Sequence, residues 1–221
     1  MSITTEIETL KTNLTNAYTS ISTKGGTIPT NKNTENLATA INSISTGGSS
    51  SYEEDLINII SNRSVMTSIN FPEGITSIGS NAFYSCTSLA LTSLPNGITS
   101  IGYGAFSGCR SLALTSLPSG IINIGNYAFN GCTNLALTSL PNGITSIGNS
   151  VFYNCSSLTS LRIGSKIRTI DSNAFSGCTK LTTIYINLPR ATVEAMSGYG
   201  GKWGATNATI ICNDDAGWVE A

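Results

Sequence analysis

The chain has 221 residues, enough for one elongated domain with an extension. Apolar residues make up 40% and charged residues 10%, and that charged share is far below the roughly 25% of typical soluble domains. The formal net charge of −1 offers no attraction to nucleic acid or anionic membranes, and the absence of histidine removes the usual general base and metal ligand. We therefore expect no nucleic-acid partner, no membrane insertion and no cofactor.

Residues 1–45 differ from the rest of the chain in their apolar period. Over residues 3–21 the apolar positions recur at alternating intervals of four and three, the a/d pattern of a heptad repeat. These positions are Ile3, Ile7, Leu10, Leu14, Ala17 and Ile21. The pattern predicts a short helix that is marginal alone. Two interpretations stay open: the helices associate as a coiled coil, for which a homotrimer is a natural form, or a single amphipathic helix folds back on its own chain.

The second half of this extension is a turn-rich loop followed by another short helical pattern. Its sequence, ISTKGGTIPTNKNTENLATAINSI at residues 21–44, resembles segments of tail and fibre proteins from phages of low-GC Gram-positive hosts. The first six residues lack a basic region and an apolar run, so we expect no Sec signal peptide. The resemblance implies a virion protein that assembles in the host cytoplasm.

The next two segments lead into the main domain. Gly and Ser dominate residues 46–51, which predicts a flexible linker. Ser51 and Glu54 fit a capping box, and an apolar stripe follows at residues 56–60. Residues 52–65 are therefore predicted to form a helix that covers the N-terminal end of a solenoid.

A 23-residue repeat dominates residues 66–188. Phenylalanine, cysteine and leucine keep the same phase over five copies. The phenylalanines are Phe83, Phe106, Phe129, Phe152 and Phe175, and the cysteines are Cys86, Cys109, Cys132, Cys155 and Cys178. A unit of this size cannot bury its apolar face alone, so neighbouring units are predicted to stack around a shared core. We expect the phenylalanines and cysteines to form ladders along that core.

The repeat carries a family resemblance. Its pattern, ITSIG..AF..C..L, resembles the 23-residue leucine-rich repeat of the bacterial surface-antigen (BspA-like) type. The resemblance implies a curved right-handed solenoid with a β-sheet on one face, and a role in adhesion or protein recognition rather than catalysis. The predicted fold is an α+β repeat protein, a leucine-rich-repeat solenoid of about five coils with a helical N-terminal extension and end caps.

One stretch of the repeat departs from the family pattern L-x-x-I-x-I-P. Residues 158–163 and 181–186 follow this pattern, whereas the first three boundaries read Leu-Ala-Leu-Thr-Ser-Leu. There a threonine falls where an apolar residue should point inward. Either the strand shifts register or bulges locally, or Leu91, Leu114 and Leu137 form an exposed apolar column that would serve as a docking site.

The cysteines allow two structural interpretations. Cysteines in phase along a solenoid are typical buried apolar spacers, and disulfides between neighbouring coils are also sterically conceivable. Zinc is not expected, because a straight ladder is not tetrahedral and the C-x₂-C spacing is absent. A reactive thiol is not expected either, since no basic side chain is predicted to lie against the inward-facing thiols.

Two sets of outward residues are candidate binding surfaces. The first follows the strands and consists of Asn70, Ser93, Ser116, Ser139, Arg162 and Tyr185. The second flanks the Phe–Cys turn and consists of Tyr84, Tyr103, Tyr127 and Tyr153. Tyrosine with serine and asparagine suits adaptable recognition of proteins or cell-surface glycans. The alternative is that these tyrosines line a solvated edge.

Residues 189–221 are predicted to cap the C-terminal end. A short helix is expected after Pro189 and a final strand at residues 209–212. The two tryptophans in this cap either pack within it or offer ligand platforms, and Asp214 and Asp215 are expected to be solvated.

The composition also bounds the function. Between Glu73 and Arg162 the only charged residue is Arg110, so no pair of carboxylates faces a cleft in the solenoid body. We predict a non-enzymatic binding or structural module. The first hypothesis is a phage tail or fibre component that recognises a host surface or another virion protein. The alternatives are a bacterial surface adhesin or host-interaction protein, located at the cell surface, and a cytoplasmic protein-binding adaptor or inhibitor.

Overall fold

The computed structural model describes residues 63–71 and 74–219. The predicted extension at 1–45 with its heptad seam, the linker at 46–51 and most of the predicted capping helix at 52–65 lie outside the described residues. Of that helix, a single 3₁₀ turn at Arg63–Val65 is described.

The described chain winds as a leucine-rich-repeat solenoid in which each coil returns to the same place after 23 residues. One strand position consists of the last two residues of the Ile-Thr-Ser-Ile motif or its equivalent, and it recurs in five coils. Its strands are β1 (Ser77–Ile78), β2 (Ser100–Ile101), β3 (Asn123–Ile124), β4 (Ser146–Ile147) and β6 (Thr169–Ile170). They pair in parallel as β1-β2-β3 and as β4-β6, with equivalent residues in register. The isoleucine of each strand is buried.

A second strand position precedes the turn into each following coil, and here the coils differ. Regular strands occur only late in the described chain, as β5 (Ser160–Ile163), β7 (Thr183–Ile186) and β8 (Thr209–Cys212). They form a parallel sheet in the order β5-β7-β8, and their side chains alternate between buried and half-buried or exposed. One parallel bridge, Ser139 to Arg162, extends this sheet towards the preceding coil.

In the three earlier coils, the Leu-Ala-Leu-Thr-Ser-Leu segments shift register instead of exposing a leucine column. Leu114 and Leu137 are 0% and 1% exposed, and Leu91 is half-buried against the core. The following Thr and Ser of each segment are exposed instead. The exposed leucine column is therefore not formed. The inward position has moved by one residue, which removes the regular alternation that a strand requires.

The core is a pair of ladders running the length of the solenoid. The rings of Phe83, Phe106, Phe129, Phe152 and Phe175 stack with centroids 5.2–5.7 Å apart. Each ring from Phe106 to Phe152 lies within 5° of parallel to the next. Phe71 closes the N-terminal end of the stack with an edge-on contact of 6.1 Å.

Backbone hydrogen bonds fix the coil spacing from both sides. On the turn side, the N–H of Phe106 donates to the carbonyl of Ala128 in the next coil at 2.8 Å. On the strand side, the N–H of Gly102 donates to the carbonyl of Ile78 in the preceding coil at 2.8 Å. The turn-side N–H groups donate towards the C-terminal end of the solenoid and the strand-side N–H groups towards its N-terminal end. Each inner coil is therefore hydrogen-bonded to both of its neighbours.

The C-terminal cap contains one short helix, α1 (Arg190–Glu194), and a 3₁₀ segment at Tyr199–Gly204. The carbonyl of Trp203 accepts the N–H of Phe175 at 3.0 Å, as the next coil would. Trp203 is fully buried and its indole N–H donates to the Ser197 carbonyl at 2.8 Å. The 3₁₀ segment therefore replaces a further repeat at this end. Within the described ranges, no helix has the length and apolarity to cross a membrane.

Candidate functional site

The first predicted surface follows the outer face of the second strand position. We call it the outer column: Asn70, Ser93, Ser116, Ser139, Arg162 and Tyr185. In its late part the residues pair directly across the sheet, Ser139 with Arg162, Arg162 with Tyr185, and Tyr185 with Ile211. The structure thus brings this part together as one continuous row.

The early part of the outer column is polar and uncharged. Ser93, Ser116 and Ser139 are exposed, and the threonine before each of them is exposed as well. The register shift therefore doubles the number of outward hydroxyl groups in these three coils. At the N-terminal end, Asn70 and Ser93 border a shallow depression of about 480 Å³, whose apolar lining includes Phe71 and Leu91.

The late part of the outer column is a cluster of one cation and two aromatic rings. The Arg162 guanidinium carbon lies 4.4 Å from the centroid of the Tyr185 ring and 5.9 Å from that of Trp218. Tyr185 meets Trp218 edge-on at 6.5 Å. Arg162 Nη1 also donates to the Val219 carbonyl at 2.7 Å. Both rings and the guanidinium are half-buried.

The second predicted surface is a set of four tyrosines that flank the Phe–Cys turn, and two of them are in contact. Tyr103 and Tyr127 are neighbours, with ring centroids 5.5 Å apart. Tyr84 and Tyr153 each follow a core phenylalanine and lie three repeats apart, in the first and fourth of the five coils. The solvent-exposed fraction is 48% for Tyr84, 52% for Tyr103 and 38% for Tyr153. The structure thus brings Tyr103 and Tyr127 together.

The cysteines of the ladder are buried, and none of them forms a disulfide within the described residues. From Cys109 to Cys178, each thiol donates to a phenylalanine carbonyl of the preceding coil, for example Cys132 to Phe106 at 3.0 Å and Cys178 to Phe152 at 3.0 Å. Burial raises the pKa of the Cys132 and Cys155 thiols far above its ordinary value and that of Cys178 to about 12. These thiols therefore stay protonated at neutral pH, and the thiolate is the reactive form.

An ion pair in the cap was missed by the sequence reasoning, which expected Asp215 to be solvated. Arg190 Nε donates to Asp215 Oδ1 at 2.8 Å and Nη2 donates to Asp215 Oδ2, so the pair is bidentate. The hydrogen bond from Arg190 lowers the pKa of the Asp215 carboxyl, assisted by the Cys212 N–H. Arg190 and Asp215 are 25 residues apart in sequence, and no local pattern links them.

This pair also covers the outward edge of β8. Arg190 Nη2 donates to the Ile210 carbonyl at 3.0 Å. The Cys212 N–H donates to Asp215 Oδ2 at 2.7 Å, and the Asp215 N–H donates to the Cys212 carbonyl at 3.0 Å. Three backbone groups on the side of β8 that faces away from β7 are therefore already hydrogen-bonded.

Among the described residues, no group of three Asp, Glu, Cys or His side chains could hold a metal ion. The cation–aromatic cluster of Arg162, Tyr185 and Trp218 lies instead at the late end of the outer column.

Comparison with known proteins agrees with this architecture. Two solved structures share it. The first is a leucine-rich-repeat protein of Treponema pallidum, with 29% sequence identity and a TM-score of 0.53. The alignment covers 66% of this chain and 69% of that protein's chain. A leucine-rich-repeat protein of Bacteroides ovatus, with 25% identity and a TM-score of 0.50, covers 66% of this chain and 42% of its own. The chain thus spans less than half of the second protein. No curated protein matches the sequence.

The repeats themselves give the family. The family model described as BspA type leucine-rich repeat region matches residues 58–182 in six copies, one more than the five predicted. Such repeats indicate a protein-interaction or surface-adhesin-like module. This chain belongs to the BspA-type leucine-rich-repeat family.

Proposed function

We propose that the chain is a non-catalytic recognition module that binds a protein partner through the outer column. The observation that carries the proposal is the column's arrangement. Exposed serine and threonine hydroxyl groups of three coils lead to Arg162 and Tyr185, and Ser139, Arg162 and Tyr185 are in register across the sheet. Arginine and tyrosine are enriched at the energetic centres of protein interfaces.

The early part of the outer column suits contact with a polypeptide, because its neutral hydroxyl groups cost less free energy to desolvate than charged groups would. It carries serine and threonine hydroxyls and no charge, and its backbone is held by the coils on either side. A rigid surface also loses little conformational entropy on binding. Arg162 then adds one point of charge-specific contact at the late end.

The test is a selection of random peptides displayed on yeast against the full chain, with binding read by flow cytometry. The column variant is Ser116→Arg with Ser139→Arg, which places two long charged side chains on the exposed row. The matched control is Thr145→Arg, an exposed residue on the other strand position. We expect selected peptides to lose binding to the column variant and to retain it with Thr145→Arg.

Peptides that bind the column variant as well as the unaltered chain would overturn this assignment of the surface. A selection that yields no peptide, together with binding of an immobilised glycan panel that the column variant abolishes, would replace the protein partner by a carbohydrate.

A finer proposal, a phage tail or fibre role with a virion location, is supported only by the sequence of residues 1–45. Light scattering on the full chain tests its oligomeric part, with Leu10→Asp as the seam variant. A trimer that the substitution dissociates supports the heptad seam. A monomer at all concentrations contradicts the homotrimer and favours the adhesin or adaptor alternatives.

A further inference from the structure

The C-terminal strap, which we define as residues 216–219, lies on the late end of the outer column. The Trp218 ring meets the Tyr185 ring, and the Val219 carbonyl accepts a hydrogen bond from Arg162. A side chain built at Gly217 would lie 3.3 Å from Ile211, the next residue of the same row. A short piece of this chain therefore already sits where a partner would bind.

We propose that this end of the outer column is a peptide-binding site for an aromatic residue that is followed by an acceptor group, and that the strap occupies it in cis. The proposal rests on the proposed function and specifies the partner's chemistry. The strap supplies the template: an indole against Tyr185, then a backbone oxygen on the guanidinium of Arg162.

The strap is held by few contacts. Trp218 is half-buried and Val219 is 61% exposed. The hydrogen bond from the Trp218 N–H to the Asp215 carbonyl, 3.0 Å long, anchors the segment locally. The other tryptophan of the cap, Trp203, is fully buried with its indole N–H bonded to Ser197. This contrast separates a core tryptophan from one that rests on the surface.

Arg162 has donor capacity left for a ligand. A guanidinium has five N–H donors, and within the described ranges one of those of Arg162 is used, by the Val219 carbonyl. A carboxylate beside the ligand's aromatic residue would complete this site, because guanidinium and carboxylate form paired charge-assisted hydrogen bonds.

The experiment uses the full chain and a fluorescein-labelled peptide, Ala-Gly-Trp-Val-Glu-Ala, which is the sequence of residues 216–221. A tethered occupant lowers the apparent affinity of a free ligand by its own occupancy, so we expect Trp218→Ala to bind the peptide about tenfold more tightly than the unaltered chain. Adding Arg162→Gln or Tyr185→Ser to Trp218→Ala should abolish this gain. The control peptide has alanine in place of tryptophan and should not bind.

A second measurement avoids altering the cap. Acrylamide quenching of the unaltered chain reports Trp218, because Trp203 is buried. The peptide Ala-Gly-Phe-Val-Glu-Ala should displace Trp218 and raise the quenched fraction. Equal peptide affinity with and without Trp218, or binding that leaves Trp218 quenching unchanged, would overturn the site. If peptides from the yeast selection bind the column while this hexapeptide does not, the proposed function stands and this inference fails. If neither binds, both fail.

Discussion

The three central coils and the two last coils build the same core from different backbones. In the first of these central coils, Leu91 is half-buried. In the other two, the buried positions of the second strand segment are Leu112, Leu114 and Leu117 and their equivalents Leu135, Leu137 and Leu140. In the next coil, they are Leu158, Leu161 and Ile163. Each segment packs three apolar side chains against the core, but only in the later segments do they alternate strictly at the end, and only there does a regular strand form. The place of one apolar residue thus decides whether the segment is a strand.

The largest expected effect comes from moving that residue in a central coil. Leu137→Ser removes a fully buried side chain and should lower the free energy of unfolding by about 3 kcal/mol. Thr138→Leu alone alters an exposed site and should change it by less than about 0.5 kcal/mol. Combined, the two give the spacing of β5, so we expect the pair to recover more than half of the loss in urea denaturation.

This double-mutant cycle tests the comparison directly. A combined variant that is as unstable as Leu137→Ser alone would show that the leucine spacing does not determine the register of this segment.

The next effect concerns how closely the coils approach on the first strand position. A side chain at Gly125 would lie 2.5 Å from the backbone nitrogen of Tyr103, whereas the last coil has Asp171 at the equivalent place. Gly125→Ala should therefore cost about 1–3 kcal/mol through overpacking.

Gly120→Ala is the matched control for Gly125→Ala, since its nearest neighbour would be 3.8 Å away. We expect it to be neutral or slightly stabilising, because alanine reduces the freedom of the unfolded chain. Equal effects of the two substitutions in thermal denaturation would contradict the close approach.

Substitutions in the cysteine ladder should lower the free energy of unfolding equally in the central and the last coils. Cys132 and Cys155 make the same thiol-to-carbonyl hydrogen bond, at 3.0 and 3.1 Å. Either alanine substitution removes this hydrogen bond, at a cost of about 0.5–1.5 kcal/mol. The carbonyl keeps its other donor, the backbone N–H of the cysteine three residues later. Serine at the same positions keeps a donor, so its effect tests whether the bond or the volume matters. A much larger loss at one position would show that the ladder is not uniform.

The smallest effect is confined to the cap and depends on pH. Because the folded-state pKa of Asp215 is lowered, its contribution to stability is present above its unfolded pKa of about 3.9. The contribution is lost as the pH falls through the folded-state value. Asp215→Asn should therefore be less stable than the unaltered chain at about pH 7, and this deficit should shrink as the pH falls through the folded-state pKa, by urea denaturation.

Glu194→Gln serves as the comparison for Asp215→Asn, since its exposed ion pair with Arg190 is 3.5 Å long and should contribute little. An Asp215→Asn variant that keeps its deficit at low pH would assign the effect to packing instead of charge.

The sequence predicts the solenoid because five copies of one motif leave little choice of period. It also predicts the strand at residues 209–212 and the phenylalanine and cysteine ladders, since these depend on local apolar spacing. It does not decide the register of Leu-Ala-Leu-Thr-Ser-Leu, because both leucine positions are apolar and only packing selects one.

Other features depend on contacts that a repeat alignment does not contain. Tyr103 and Tyr127 meet although they hold different places in the repeat, three and two residues before their phenylalanines. Trp218 reaches Arg162 from 56 positions away, and no spacing rule relates the two residues.

The hydrogen bonds of Arg190 and Asp215 along β8 have a consequence for assembly. A bare parallel edge is a template on which further strands add, and repeated addition leads to filaments. With Ile210 and Cys212 already bonded within the cap, this end of the solenoid does not propagate. The length of the rod then depends on how many units the gene encodes and not on protein concentration. Each unit inserted ahead of the cap would lengthen it by one ring spacing, 5.2–5.7 Å.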